Sequence, residues 1–312
     1  MKVFVAGASG VIGRRLVPML IEHGHQVTGM TRSAEHAQRL RELGAEPAVC
    51  DAFDADDLRA KMAAVEPQVV VHELTDLPTA FNPRRMAEQL EPNNRVREEG
   101  TRNLVDAALA AGARRMVAQS IAFAYPHSGD GPKTEDDPLF DDAPEPWGRS
   151  VQALHVLEDA VTKTEGLEGV VLRYGFFYGP GSAYDSDGYY AREVRRRRFP
   201  IVGRGGGVFS FVHVDDAAAA TVAAVEGGAP RIYNVTDDEP APLREWLPAY
   251  AEALGAKKPR RVPKWIARLA AGQYTTQLAT ELRGASNAHA KADLGWTPRY
   301  PSWREGFREA LG

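Results

Sequence analysis

The sequence predicts an α/β protein: a Rossmann-type doubly wound parallel sheet with a small C-terminal substrate lobe. Three features predict it. Short apolar runs alternate with amphipathic stretches through the first half, and a glycine-rich turn joins the first run to the first amphipathic stretch. After about Tyr178 the texture changes to dense glycine and proline. Strands alternating with helices at this spacing form parallel βαβ units, whose strands are buried on both faces and so read as continuous apolar runs.

Taken in order, strands are expected at 3–6, 26–31, 46–50, 68–72 and 114–119, with later additions at 169–173 and 231–235. Between the early strands, apolar spacing near 3.6 predicts helices at 11–23, 34–43, 54–65 and 95–111. Gly179-Pro180-Gly181 and the glycines of 203–207 open the second region, followed by helical patterns at 243–254 and 264–282. Residues 1–178 are therefore read as a dinucleotide-binding domain with later returns near 208–235, and 179–312 as a smaller, interleaved lobe. A Pro-, Gly- and Asp-rich stretch at 125–145 is long enough to be a functional loop.

Charge and composition exclude several classes. Lysines and arginines number 38 against 42 aspartates and glutamates, a net charge of −4. That balance excludes a nucleic-acid partner, which needs a basic excess. The longest strongly apolar stretch, 217–225, is far short of the roughly 20 residues of a spanning helix, so no membrane segment is expected. A single cysteine, Cys50, permits no internal disulfide and fits a reducing, cytoplasmic setting.

The first expected strand runs into Gly7-Ala8-Ser9-Gly10-Val11-Ile12-Gly13 and then a helix. In such a turn one glycine permits the tight bend, the next lets backbone approach a pyrophosphate, and the third packs helix on strand. Phosphates would rest on amides from Ser9 to Arg14 at the positive end of the helix. At the end of the second strand, where NAD binders carry an acid for the ribose hydroxyls, the chain has Thr31-Arg32-Ser33. A guanidinium flanked by hydroxyls suits a 2′-phosphate, so Arg32 and Ser33, helped by Arg14, point to NADP in preference to NAD. Asp51, just past the third strand, is placed to accept from an adenine amino group, although exposed loop aspartates are common.

Beyond this turn the chain resembles the extended short-chain dehydrogenase/reductases, in their NAD-dependent epimerase/dehydratase branch. The resemblance rests on Gly7 to Gly13, on Leu172-Arg173-Tyr174 through Tyr178-Gly179-Pro180-Gly181, on Phe211-Val212-His213-Val214-Asp215-Asp216, and on Leu294-Gly295-Trp296-Thr297-Pro298. It implies a nicotinamide cofactor, a small-molecule substrate and, in many members, a homodimer. It also implies a Ser or Thr after the fifth strand that bonds the substrate oxygen, and a Tyr-x-x-x-Lys pair that exchanges a proton with it. Ser120 matches the first.

The pair is missing. Where the family reads Tyr-Gly-Arg-Ser-Lys, the chain reads Trp147-Gly148-Arg149-Ser150-Val151, and no tyrosine has lysine four residues on. Tryptophan delivers no proton at neutral pH, and valine neither shifts a pKa nor bonds a ribose. Two positions that contact a nucleotide sugar in relatives become Phe176 and Phe209, which favours an apolar or aromatic substrate.

Replacements are sought nearby. His155 lies on the 147, 151, 155 spacing of the same helix, the alternative being a histidine at the surface. Tyr125 opens the long loop and either lines the pocket or packs. His72, Glu73 and Asp76 follow the fourth strand, at the edge where ligands bind. His213 is read as ordering a strand-helix junction, Tyr184, Tyr189 and Tyr190 as shaping a pocket, and Arg195 to Arg198 as a solvated surface. No metal set is apparent. The expected function is an NAD(P)-dependent enzyme on a non-nucleotide, apolar small molecule, with Ser120 polarising the reacting oxygen. The alternatives are an isomerase, lyase or cyclase that retains its cofactor, and a non-catalytic NADP(H) redox sensor.

Overall fold

The computed structural model describes residues 1–80, 82 and 85–311. Seven parallel strands form the central sheet: β1 (Lys2–Ala6), β2 (Gln26–Thr31), β3 (Glu46–Val49), β4 (Val69–His72), β5 (Arg115–Ile121), β6 (Glu168–Tyr174) and β11 (Ile232–Val235). Their order across the sheet is β11-β6-β5-β4-β1-β2-β3. The chain thus starts near the middle, winds out to β3, returns, and winds out the other way. This is the doubly wound arrangement of a Rossmann fold, with its switch point between β1 and β4.

Six helices cover the two faces: α1 (Gly13–Glu22), α2 (Ala34–Glu42), α3 (Ala55–Val65), α4 (Met86–Arg95), α5 (Thr101–Ala110) and α6 (Trp147–Thr162). The central strands bury both faces, and Val3, Phe4, Val5, Val70, Val71, Met116 and Val117 are each fully enclosed. Odd-numbered β1 residues meet Leu16 and Leu20 of α1, whereas Phe4 and Ala6 meet Leu58 and Met62 of α3 on the opposite face. One difference from expectation concerns the helix predicted at 95–111. It starts earlier, at Met86, and is interrupted by a π-helical turn at Val96–Gly100. Such turns widen the helix by one residue and are frequent at functional sites.

Beyond β6 come three short ladders: β7 (Phe176–Tyr178) with β10 (Phe211–His213), β8 (Ile201–Val202) with β13 (Arg261–Val262), and β9 (Val208–Phe209) with β12 (Ala241–Pro242). They support α7 (Tyr189–Arg195), α9 (Leu243–Ala253), α10 (Lys264–Glu281), α11 (Ala288–Leu294) and α12 (Trp303–Leu311). Tyr178, Tyr184, Phe211, Trp246, Tyr250, Trp303 and Phe307 fill the lobe's core. Tyr184 stacks on Tyr190 at 4.4 Å inside that core, so the pocket role expected of this pair gives way to packing. α10 is broken at Gly272 (φ 84°, ψ 174°), which sets its second half, carrying Tyr274, at a new angle.

The lobe is tied back into the sheet. α8 (Val214–Glu226) packs on α1, and Arg15 pairs with Asp215 at 2.7 Å. His213 accepts the Asp215 N–H at Nδ1 and so caps α8. Asp216 accepts from the N–H groups of Arg299 and Tyr300, fixing the segment after Trp296. Among the described residues no helix is long and apolar enough to cross a membrane.

Candidate functional site

A cleft opens at the carboxyl edge of β1 to β4, where a doubly wound sheet binds ligands. Gly7, Ser9 and Gly10 form one wall, Thr31, Arg32, Asp51 and Phe53 the far end, and Glu73 to Asp76 with Val96 the floor. The three glycines differ in what surrounds them. Gly7 has φ +92°, and a Cβ there would stand 2.6 Å from the Glu73 carbonyl. A Cβ on Gly13 would stand 2.2 Å from the Gly7 oxygen, so this glycine lets α1 close on the turn. On Gly10 it would meet only the Gly7 oxygen, at 3.2 Å, and otherwise face open space. An approach to bare backbone at the start of a helix fits the diphosphate of a dinucleotide. Ile12 is buried and Val11 packs beside it in the sheet core, so those two offer backbone and not side chains.

Across the mouth, Arg32 lies 3.9 Å from Asp51, both substantially exposed. The Ser33 hydroxyl accepts the His36 N–H and caps α2, and the Thr31 hydroxyl accepts the Ser33 N–H. Arg14 is exposed, donates to the Gly10 carbonyl at 3.3 Å, and lies beside the turn at Gly181. Asp51 accepts the Phe53 N–H, which orders the turn after β3.

Two titratable groups stand at the end of β4. His72 is fully buried, accepts the Leu74 N–H at Nδ1 and meets the Thr101 hydroxyl at Nε2, 3.0 Å away. Burial pushes it down to about 4, so it is neutral and joins β4 to α5. Glu73 accepts from Tyr174 through Oε1, and its Oε2 has no partner among the described residues. Burial raises its carboxyl to about 8, so a protonated acid sits on the cleft floor at neutral pH.

Of the three residues expected to do chemistry, Ser120 and Tyr125 are joined through one buried network and His155 stands apart. Ser120 is 3% exposed and donates its hydroxyl to Glu158 of α6 at 2.7 Å. Glu158 is in turn gripped by Arg173, at 2.8 and 2.5 Å, and Arg173 donates to the Tyr125 oxygen at 2.8 Å. Tyr125 donates to Asn234 at 2.8 Å, and burial pushes its phenol up to about 12. Ser120 and Tyr125 are thus two members of one enclosed polar chain joining β5, α6, β6 and β11. His155 meets Asp141 at 2.6 Å on the surface. Its displacement has a simple cause, since eight residues of α-helix overshoot two turns by about 80°. At all three positions the side chain is held by these bonds.

A separate cluster of apolar and aromatic side chains lies beyond the end of β5. Ile121, next after Ser120 and pointing to the other face of the strand, packs in the cluster of Trp147, Val151, Leu154 and Tyr274. Trp147 stacks on Tyr274 with ring centroids 4.5 Å apart, and Phe123 lies 6.3 Å from Trp147 and 4.2 Å from Phe176. Phe176 continues to Phe209 at 4.9 Å. Trp147 Nε1 and the Tyr274 hydroxyl are both buried without a partner among the described residues. Sequence reasoning missed Tyr274, which lies far along the chain and is delivered only by the break at Gly272.

Comparison with known proteins agrees with this architecture. The model of the NAD dependent epimerase/dehydratase family matches residues 3–236. A 3-diazoavenalumate denitrifying reductase of a Streptomyces species is 46% identical over 98% of this chain and 99% of that protein. A 2-alkyl-3-oxoalkanoate reductase of Stenotrophomonas maltophilia is 26% identical over 83% of this chain and 77% of its own. Among solved structures, the UDP-glucose 4-epimerase of Thermotoga maritima superposes with a TM-score of 0.78 at 21% identity, covering 100% of this chain and 97% of that one. A human epimerase family protein with NADPH gives 0.75 at 21% identity, covering 100% and 99%. The chain belongs to the NAD dependent epimerase/dehydratase family.

Proposed function

We propose that the protein is an NADPH-dependent reductase that removes dinitrogen from a flat, conjugated aryl diazonium bearing a carboxylate. The observation that carries this reading is the state of the three positions of the proton-donating apparatus: Trp147 and Val151 stand in an apolar cluster in place of phenol and ammonium, and the Ser120 hydroxyl is given to Glu158. The relative at 46% identity, by its name a denitrifying reductase of a diazo carboxylate, supplies a reaction that needs none of the three.

Reduction of a carbonyl leaves an alkoxide that must be protonated, which is the task of the Tyr-Lys pair. Loss of dinitrogen does not. A bound reduced nicotinamide supplies a hydride, and an aryl diazonium plus hydride gives the arene C–H and N₂, with the C–N bond electrons leaving on nitrogen and the positive charge consumed. No oxygen changes charge, so no acid is required at the site. The side chains act by binding and exclusion. The stack of Trp147, Tyr274, Phe123 and Phe176 offers an apolar aromatic surface to a planar substrate. Val151 and Ile121 keep water from an electrophile that water would otherwise capture. Gly7, Gly10 and the start of α1 hold the diphosphate, and Arg32 with Ser33 receives the 2′-phosphate that sets NADPH above NADH.

Incubation with NADPH and a ¹⁵N₂-labelled diazotised aminocinnamate tests the proposal. One ²⁸N₂-distinct labelled dinitrogen should appear per NADPH oxidised. Cofactor oxidation without gas, or cofactor binding with no turnover, would reject it.

A further inference from the structure

We infer that one face of the C-terminal lobe, built by Trp265, Ile266 and Leu269 of α10 and the cations around the β8–β13 ladder, docks on an anionic lipid surface. The inference is independent of the reaction proposed above.

Charge is unevenly spread over the chain. Residues 195–204 and 257–268 together hold 11 of the 38 lysines and arginines and no aspartate or glutamate, which leaves 27 cations against 42 acids elsewhere. The net charge of −4 hides this polarity. Folding joins the two segments. β8 and β13 pair in parallel with Arg261 opposite Ile201, and the Ile201 N–H donates to the Arg260 carbonyl at 2.8 Å. Arg198 and Lys258 each stand three residues before that pair, so the two basic runs reach the ladder from the same end. Past the ladder, a Cβ on Gly203 would stand 3.2 Å from Lys264 Cγ, which sets Arg204 close to the start of α10. Lys264 pairs with Glu281 at 2.8 Å and Arg196 with Glu193 at 3.7 Å, so part of the charge is answered locally. Arg198, Arg204, Lys257, Lys258, Arg260 and Arg261 are exposed and pair with no carboxylate among the described residues.

The apolar part comes from α10 before its break at Gly272, and α10 packs against β8. At about 100° per residue, Trp265 and Leu269 lie within about 40° of each other and opposite Ala267. Ala267 is buried, whereas Trp265 is 66% exposed and Leu269 82%. The two large apolar side chains therefore point away from the protein. Ile266, 39% exposed, widens this crest on one flank, and Lys264 and Arg268 stand on the other. An apolar crest with a cationic flank suits a helix lying in a lipid interface, its indole at headgroup depth and its cations on the phosphates. The crest projects instead of lining a groove, which fits a deformable apolar medium better than a protein of fixed shape. Nucleic acid would use the cations but neither Ile266 nor Leu269.

Cosedimentation of the whole chain with vesicles of phosphatidylcholine, alone or with about one third phosphatidylglycerol, tests the surface. The anionic vesicles should bind at least about tenfold more tightly, and the difference should vanish as salt rises toward about 0.5 M. Trp147, Trp246, Trp296 and Trp303 are buried, so a blue shift of tryptophan emission on binding reports Trp265. Trp265→Phe should abolish the shift and keep affinity within about threefold. Leu269→Ser, and separately Lys258→Glu with Arg260→Glu, should each weaken binding about tenfold or more, with melting temperature and NADPH affinity as in wild type. No binding to anionic vesicles, equal binding to both lipids, binding without a blue shift, or binding indifferent to these variants would each overturn the inference. So would a second copy of the chain on this face, seen as a dimer that Leu269→Ser dissociates. Binding of polyglutamate or duplex DNA in place of vesicles would overturn it too.

Discussion

Ser120 donates its hydroxyl to Glu158 at 2.7 Å, and both side chains are enclosed. Ser120→Ala removes one donor from a carboxylate that keeps its bidentate arginine. Stability should fall by about 1–3 kcal/mol, the usual cost of orphaning a buried acceptor, while turnover changes by no more than about threefold. Urea titration and steady-state kinetics on the same samples read both. A loss of rate beyond a hundredfold with normal stability would return Ser120 to the chemistry.

Gly10 and Gly13 separate binding from folding. A methyl at Gly10 meets only the Gly7 oxygen at 3.2 Å, whereas one at Gly13 stands 2.2 Å from that same oxygen. Gly10→Ala should therefore keep its melting temperature and lose cofactor affinity by about tenfold or more, because the methyl occupies the phosphate approach. Gly13→Ala should lose about 2 kcal/mol or more of stability through overpacking. Fluorescence titration with NADPH and thermal melts distinguish the two.

Arg32 points across the cleft mouth toward Asp51, largely in solvent. Its removal should leave stability unchanged. Arg32→Ala is expected to weaken NADPH by about tenfold, the worth of a hydrogen bond to a charged group, and to leave NADH within twofold. Equal effects on both cofactors would remove its assignment to the 2′-phosphate.

Glu73 gives a pH dependence whose sign is fixed. Its folded value, raised to about 8, exceeds the ordinary carboxyl value of 4.5, so between these limits the native state holds a proton that the unfolded chain has lost. Stability from this group is complete below pH 4.5, declines as pH rises, and is gone above about 8. From pH 6 to 9 the wild type should lose about 2–3 kcal/mol relative to Glu73→Gln, measured by urea unfolding. His72, lowered to about 4, acts oppositely and only on the acid side, between 6.5 and 4. A Glu73→Gln profile parallel to wild type would refute the assignment.

Most of the sheet was legible because parallel strands bury both faces, and runs such as Val69 to Val71 can belong nowhere else. The glycine turn was equally readable, since its three positions each demand glycine for a separate steric reason. The site was read less well, and the reasons are local. Strand alternation separates Ser120 from Ile121, and the chain alone does not say that Glu158 of α6 takes the Ser120 hydroxyl. α4 was overlooked because Pro92 and its charges break the apolar period.

β11 closes the sheet by pairing with β6 along Val171 to Tyr174, and Asn234 within it completes the polar chain from Ser120. The 57 residues between Tyr174 and Ile232 therefore interrupt the sheet without being separable from it. A fragment ending before Ile232 would expose β6 as a long apolar edge with unpaired amides, a template for intermolecular strand addition. Proteolytic nicking in the lobe should consequently yield aggregation and not a trimmed, cofactor-binding core.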